Sequence, residues 1–406
     1  MPDIDELQGR PRGPDDRILP SGDEAGTAPG DRGYRPDIEG LRAVAIILVV
    51  LLHCGVPRMA GGIVGVDVFF VISGFVITGL LLREYKSSNR IAFLNFYARR
   101  ARRLLPAALL VIVASLLLTS LIAGHSVAVQ VASDCRWSAA FLANFHLTTV
   151  TPNVLQMQET PVAGYWSLAV EEQFYLLYPA LFAMLMIIPG RWSTRVRLSL
   201  GLVVIIIGSL ALSIHLSHPG QFAGFNSPLT RAWELAVGGL VAASTGGLQK
   251  IPASVATFAT WIGLLLIIAS SMTLSMALPY PGYAAGLPVL GATLVIGGGC
   301  AVPRHGAESL LRITPFAWIG RWSYSWYLWH LAVFFLVAQV LHTRVEDLAI
   351  TTRLGLALAS LLIAATTYFF IENPIRHSTR LADNPKATIA GAGLLIGSCV
   401  ALTYAF

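Results

Sequence analysis

The chain has 406 residues, 55% of them hydrophobic and only 12% charged, with a formal net charge of +6 and a mean hydropathy of +0.66. This balance excludes an ordinary soluble domain and places the chain in lipid. Nothing in it reads as a nucleic-acid-binding signature, because its basic clusters flank apolar runs and so belong at a membrane surface.

Residues 1–35 hold Pro, Gly, Asp and Arg with hardly an apolar cluster. They cannot bury enough surface to offset the entropy of ordering and are expected to form a disordered cytoplasmic tail. No apolar h-region opens the sequence, so the first span itself is expected to target the chain.

From residue 40 onward, apolar runs recur that approach the length needed to cross a hydrocarbon core, about 20 helical residues for roughly 30 Å. The spans read as 41–55, 63–82, 105–124, 167–188, 198–216, 230–245, 255–277, 285–302, 315–341, 351–371 and 387–405. The expected fold class is all-α: a polytopic integral membrane protein of about 10–11 transmembrane helices, multi-pass in the cell membrane. The first and sixth spans are short, which predicts tilt, interruption or a cavity-lining position.

Orientation follows from the arginines, since short cytoplasmic loops retain Lys and Arg. With the N-terminus inside, the second-to-third loop carries Arg83, Lys86, Arg90, Arg99, Arg100, Arg102 and Arg103. Later inside loops carry Arg191, Arg195, Arg197, Lys250, Arg304, Arg312, Arg376, Arg380 and Lys386. The outside loops hold Arg58, Arg136, Arg231, Arg344 and Arg353. The longest outside connection, 125–166, is moderately polar and is expected to form a partial lid or interfacial segment.

Cys54, Cys135, Cys300 and Cys399 show no metal-ligand spacing. They read as small buried hydrophobes, with a Cys54–Cys135 disulfide as the alternative, and no metal site is expected.

An ionisable residue inside a span is costly and so marks a candidate site. In the first span Arg42 and His53 are eleven residues apart, about 16 Å along a continuous helix. A cation therefore sits near the cytoplasmic end and a titratable base near the outer one. The second span, GVDVFFVISGF, adds Asp67 and Ser73. A short turn after Gly55 brings Asp67 to nearly the depth of His53, where its carboxylate either fixes the imidazole tautomer or caps the start of its own helix. Before the third span, FYARRARRLLP holds Arg99, Arg100, Arg102 and Arg103: a topogenic anchor on anionic headgroups, or a helical face that binds clustered phosphates.

The fourth span opens YWSLAVEEQFY. Adjacent Glu171 and Glu172 point about 100° apart, so at least one faces a polar interior. Arg231 and Glu234, three apart in the sixth span, form a local pair. In the ninth, Ser323, Tyr327 and His330 share one face. In the tenth, Glu372, Pro374 and Arg376 mark a helix stop at the cytoplasmic surface.

Taken in order, the Arg42–His53 spacing, GVDVFFVISGF, RRARRLLP, WSLAVEEQFY, RAWELAVG, SYSWYLWH and IENPIR resemble the acyltransferase-3 family of integral membrane O-acyltransferases. The resemblance covers residues 34–376 and frames three segments: the tail 1–35, an acyltransferase transmembrane domain 36–376, and a linker with an additional helix over 377–406. It implies transfer of an acyl group, usually acetyl, from cytoplasmic acyl-CoA to a hydroxyl of a glycan, glycolipid or related acceptor. It also implies that Arg42 and His53 are functional and that Arg99–Arg103 help hold the coenzyme. Members often carry an outside hydrolase-like domain after an eleventh span; here that span is the last segment, so a stand-alone form is expected, with partner proteins of envelope biosynthesis completing the transfer or not.

On this basis His53 is expected to act as general base, Arg42 to guide the coenzyme or stabilise charge, and Asp67 to orient His53. Ser73, Glu171, Glu172, Arg231, Glu234, Tyr327 and His330 are further polar cavity candidates. A covalent acyl-enzyme stays open. The acceptor is expected among cell-envelope glycans or glycolipids, a trehalose mycolate being one candidate and a macrolide sugar another. A lipid or glycolipid transporter is the rival from a different class, disfavoured by the lack of an inverted repeat, and a scaffold is a third reading.

Overall fold

Backbone polar groups in lipid must be satisfied internally, and every regular element among the described residues is a helix. The computed structural model describes residues 35–150, 159–187, 192–219, 222–275, 278–303 and 305–406. Of the tail 1–35 expected to be disordered, residues 1–34 lie outside them, as do Arg191 and Arg304 of the orientation argument. Pro36–Phe406 form one compact unit.

Helix α1 (Pro36–His53) begins on a proline, with Asp37 and Glu39 in its first turn where the helix dipole favours acids. It ends at Gly55, whose φ of +66° suits a residue without a Cβ. Helix α2 (Val64–Ser88) returns antiparallel and closes on Asn89, left-handed, whose N–H donates to the Tyr85 carbonyl. The arginine run is not a loop: α3 (Phe93–Ile122) takes it into its first turns and continues through Pro106. Of the connection expected to lie outside, the first part folds as two helices, α4 (His125–Ala139) and α5 (Ala143–Val150), and residues 151–158 lie outside the described residues. Glu159 beyond them accepts the Val345 N–H through both carboxylate oxygens, at 3.0 and 3.1 Å.

There follow α6 (Tyr165–Ile187), α7 (Thr194–Leu216), the single turn α8 (Phe222–Phe225), α9 (Pro228–Leu248), α10 (Ala253–Thr273), α11 (Gly286–Gly299), the short α12 (Ala307–Leu311), α13 (Thr314–Val340) and α14 (Ile350–Thr367). Ser227 caps α9 by accepting from the Leu229 N–H, with Pro228 at the first helical position. Past α14 the chain makes a π-helical turn, Tyr368–Glu372, then α15 (Asn373–Arg376), α16 (Thr379–Asp383) and α17 (Pro385–Leu402). All four cysteines are free and buried.

Seven of these helices are long and apolar enough to cross a membrane: α2, α3, α6, α7, α10, α14 with its continuation to Arg376, and α17 with its last turn. The chain is a polytopic membrane protein. The other four expected spans are helices at the expected places, α1, α9, α11 and α13, but shorter or more polar. The reason is position. Helix α1 packs along α13, and α9 lies between α2 and α7, so these helices meet protein where a peripheral helix meets lipid. The apolar window of α7 or α17 is 17% buried inside the protein, against 67% for α2.

Glycines set how closely the inner helices approach. A Cβ on Gly320 of α13 would fall inside the van der Waals radius of the Glu39 carbonyl oxygen on α1. Gly62 and Gly65 stand likewise against the Leu48 and Ala45 carbonyls, and Gly74 and Gly238 join α2 to α9 at the Leu235 and Val71 carbonyls. Small residues at such contacts replace the hydrophobic driving force that lipid does not supply. Gly320→Ala is expected to cost about 1–3 kcal/mol by overpacking, read as a lowered thermal midpoint in detergent. Gly393→Ala, whose Cβ would meet nothing within 4 Å, is the control that should leave the midpoint unchanged.

Candidate active site

The close approach at Gly320 sets α1 and α13 side by side and parallel, and two polar contacts follow along their seam. Near the start of α1 the Arg42 guanidinium donates to Ser323 Oγ, from Nε at 3.2 Å and Nη2 at 3.0 Å. At its end the His53 ring meets His330, Nδ1 to Nε2 at 3.3 Å with ring centroids 5.1 Å apart. His53 Nδ1 also lies 2.9 Å from the Val49 carbonyl, and His330 Nδ1 lies 3.1 Å from the Trp326 carbonyl. Ser323 and His330 are fully buried, whereas Arg42 and His53 keep partial exposure. The seam therefore offers two accessible groups backed by two inaccessible ones.

The arginines of α3 take different partners, adjacent ones pointing about 100° apart on the helix. Arg99 Nη2 reaches Glu84 Oε2 at 3.0 Å on the exposed side. Arg100 Nη2 donates to Glu172 Oε1 at 2.7 Å, lies 3.7 Å from Glu171 and covers the Tyr175 ring at 3.9 Å. Glu171 in turn accepts from Ser73 Oγ at 2.6 Å and Tyr175 OH at 2.8 Å. Arg102 keeps a buried Nε without a hydrogen-bond partner. Arg103 lies within electrostatic reach of Arg42, Arg100 and Arg376, opposed by Glu39.

That grouping gathers cationic side chains of α1, α3 and α15. A carboxylate opposing them is Glu372, which the π-helical turn rotates into the bundle: Glu372 is buried while Phe369 and Phe370 beside it are exposed. Ser325 Oγ donates to Glu372 Oε2 at 2.7 Å, and Glu372 is within reach of Arg103, Arg42 and Arg376. Ser323 and Ser325, two apart on α13, thus hold one group each of this cluster.

Asp67 is placed elsewhere than expected. Its carboxylate accepts from Arg231 Nη1 at 2.8 Å and from the Tyr280 hydroxyl, and the hydrogen bonds of His53 do not include it. Arg231 also pairs with Glu234 at 2.9 Å, the local pair read from the sequence. All three charged side chains have no solvent exposure, and the guanidinium carbon lies 4.9, 5.4 and 5.6 Å from the Phe225, Tyr280 and Trp166 ring centres. This cluster locks α2, α9 and the segment before α11 together. Tyr327 OH meets Ser167 Oγ at 2.7 Å and donates to the Gly164 carbonyl at 3.0 Å, tying α13 to the start of α6.

Sequence reasoning passed over Tyr280, Glu39 and the inward turn of Glu372. The sequence pattern presents Glu372 and Arg376 as a helix stop at the surface, whereas Glu372 is buried. The signal available for Glu372 is its acidic side chain directly after the apolar run Tyr368–Ile371 and two residues before Pro374.

The acyltransferase-domain family Acyl_transf_3 matches residues 35–372. The chain belongs to this family. Among curated relatives, the peptidoglycan O-acetyltransferase OatA of Listeria monocytogenes is 30% identical over 364 residues, 85% of this chain and 56% of that protein. The putative peptidoglycan O-acetyltransferase YrhL of Bacillus subtilis is 29% identical over 360 residues, 84% of this chain and 55% of that protein. The O-acetyltransferase OatA of Staphylococcus aureus is 30% identical over 358 residues, 84% of this chain and 57% of that protein. The chain spans little more than half the length of these relatives. No solved structure matches it.

Because Asp67 is engaged in a buried lock, Arg231→Met should leave two uncompensated carboxylates and cost about 3–5 kcal/mol, seen as loss of folded protein on size exclusion. Asp67→Asn is expected to lower the thermal midpoint while leaving turnover per folded molecule near wild type. A fully stable but inactive Asp67→Asn protein would return the carboxylate to the service of His53.

Proposed function

We propose that this acyltransferase domain moves an acetyl group from cytoplasmic acetyl-CoA to a hydroxyl of a cell-envelope glycan, with His53 as general base. The observation that carries the reading is the α1–α13 seam. It sets an arginine cluster, Arg42 with Arg103 and Arg376, about 16 Å along α1 from an accessible histidine. A coenzyme has the same layout, with phosphates at one end of an extended arm and the thioester at the other. The similarity to the peptidoglycan O-acetyltransferase OatA of Listeria monocytogenes favours a glycan acceptor.

In this reading the arginine-rich end faces the cytoplasm, in keeping with the charge asymmetry of the loops. Arg42 and Arg103 bind phosphate oxygens, with Arg102 contributing charge, while Arg99 and Arg100 are occupied by Glu84 and Glu172 and mainly shape the entrance. Glu39 and Glu372 balance the cluster before donor arrives and keep the arginines extended. Arg42, bound by Ser323, is fixed for its task.

At the other end, Nδ1 of His53 is taken by the Val49 carbonyl, leaving Nε2 as the basic nitrogen. Nε2 removes the acceptor hydroxyl proton as the oxygen attacks the thioester carbonyl carbon. The C–S bond then breaks, the departing sulfur takes the proton from His53, and the products are an acetyl ester and free coenzyme A. Tyr327 with Ser167, Glu171 with Ser73, and the Arg231–Glu234 lock shape the surrounding bundle.

Proteoliposomes given acetyl-CoA and soluble peptidoglycan glycan strands should release free thiol and yield acetylated glycan. A parallel arm with a trehalose glycolipid discriminates acceptors. His53→Ala should lower kcat by about 100-fold or more. Arg103→Ala should raise KM for acetyl-CoA by about tenfold with a smaller change in kcat, and Arg99→Ala should leave KM near wild type. Absence of thiol release by wild type with every acceptor would favour a transporter.

A further inference from the structure

We infer that His330 is a positioning residue for the transfer reaction: it accepts a hydrogen bond from His53 Nδ1–H and so fixes the tautomer that presents Nε2 as the base. The inference rests on His53 being that base.

The hydrogen-bond chemistry of the pair has one self-consistent assignment. A carbonyl oxygen only accepts, so His330 Nδ1, 3.1 Å from the Trp326 carbonyl, carries the hydrogen. In the neutral ring that leaves His330 Nε2 as an acceptor. It faces His53 Nδ1 at 3.3 Å, and the same His53 nitrogen lies 2.9 Å from the Val49 carbonyl. Two acceptors converge on one nitrogen, which must therefore donate. The tautomer of an imidazole is set by the bond its other nitrogen makes, and here both bonds give the same result.

The two acceptors are not equivalent. Val49 belongs to α1 itself, four residues back, and its carbonyl also serves the helix ladder. His330 comes from a different helix, is fully buried, and is walled by Tyr327 and Phe334 at ring separations of 5.8 and 6.2 Å. It can turn neither toward water nor toward lipid, so it holds the His53 ring against rotation about χ2. When His53 takes the acceptor's proton, the positive charge makes the Nδ1–H donor stronger, and His330 Nε2 is in place to receive that bond. In hydrolytic triads a carboxylate takes this position; here a neutral imidazole occupies it, which avoids an uncompensated negative charge within the bundle.

Substitution of His330 separates positioning from packing. In the acetyl-CoA and glycan-strand assay, His330→Leu removes the acceptor while filling the space, and kcat is expected to fall about tenfold to 100-fold with KM for acetyl-CoA unchanged within about twofold. His330→Gln keeps an acceptor at the position of Nε2 and is expected to recover most of that loss, which a space-filling role would not produce. Wild-type kcat in His330→Leu, beside an inactive His53→Ala, overturns this inference alone. Continued turnover by His53→Ala overturns the assignment of the base and this inference with it. Should His330→Leu fail to fold, selective 15N-histidine NMR of the wild type decides: the His53 hydrogen is expected on Nδ1, and its presence on Nε2 overturns the assignment.

Discussion

The contact on which the rest depends is the backbone approach of α13 to α1 at Gly320. Without a Cβ at that point the two helices lie close enough for short polar side chains to bridge them, and the Ser323–Arg42 and His330–His53 contacts need that separation. A single additional methyl group would widen the upper part of the seam. Ser323 is a short side chain that cannot follow a retreating partner, so the arginine at one end and the histidine at the other are coupled to one packing event. This makes α13 the organising helix: Gly320, Ser323 and His330 meet α1, Ser325 holds Glu372 of the π-helical turn, and Tyr327 ties the start of α6.

Charge in a low-dielectric interior separates structural groups from working ones. At Arg231 two carboxylates, a tyrosine hydroxyl and three aromatic faces surround one guanidinium that has no exposure. The charges of this cluster face one another directly, although Arg231 Nη2 and Glu234 Oε2 keep no hydrogen-bond partner, and removing one charged partner is costly because it strands the others. The Arg42, Arg103 and Arg376 grouping differs in kind. Its three arginines repel one another; Glu39, 3.8 Å from Arg42, and Glu372 oppose them, and Arg103 remains partly exposed. A cluster that leaves cationic charge incompletely neutralised has capacity for an anion, which is the physical basis of the proposal that donor phosphates bind there.

Much of this was legible in the sequence because burial in lipid makes each polar residue conspicuous. The all-α fold, the places of the helices and the residues Arg42, His53, Tyr327 and His330 all stand out against apolar surroundings. What was not legible is which polar residue meets which. Asp67 and His53 are close in sequence and near in depth, yet Asp67 turns to Arg231, 164 positions away, because a neighbouring helix offers a full positive charge and the imidazole offers only a dipole. Tyr280 sits in a connection, where nothing in the local pattern signals a partner for a carboxylate on α2. Glu372 was hidden by its position: a π-helical turn changes the residue angle by enough to move a side chain from the surface to the interior, and periodicity of 3.6 does not report it.

The same reasoning accounts for the helices that are least apolar. A helix at the rim, such as α7 or α17, spends most of its surface on lipid and must be uniformly hydrophobic. An inner helix trades lipid for protein, so polar residues become affordable wherever a partner stands opposite. Helices α1, α9 and α13 use that freedom for Arg42 and His53, for Arg231 and Glu234, and for the serine, tyrosine and histidine stripe. The deficit in hydropathy is thus the trace of polar side chains that find a partner on another element. In a bundle of this kind the spans that look weakest as membrane helices are the ones in which a site is to be sought, because a polar side chain survives there only if another helix has been shaped to receive it.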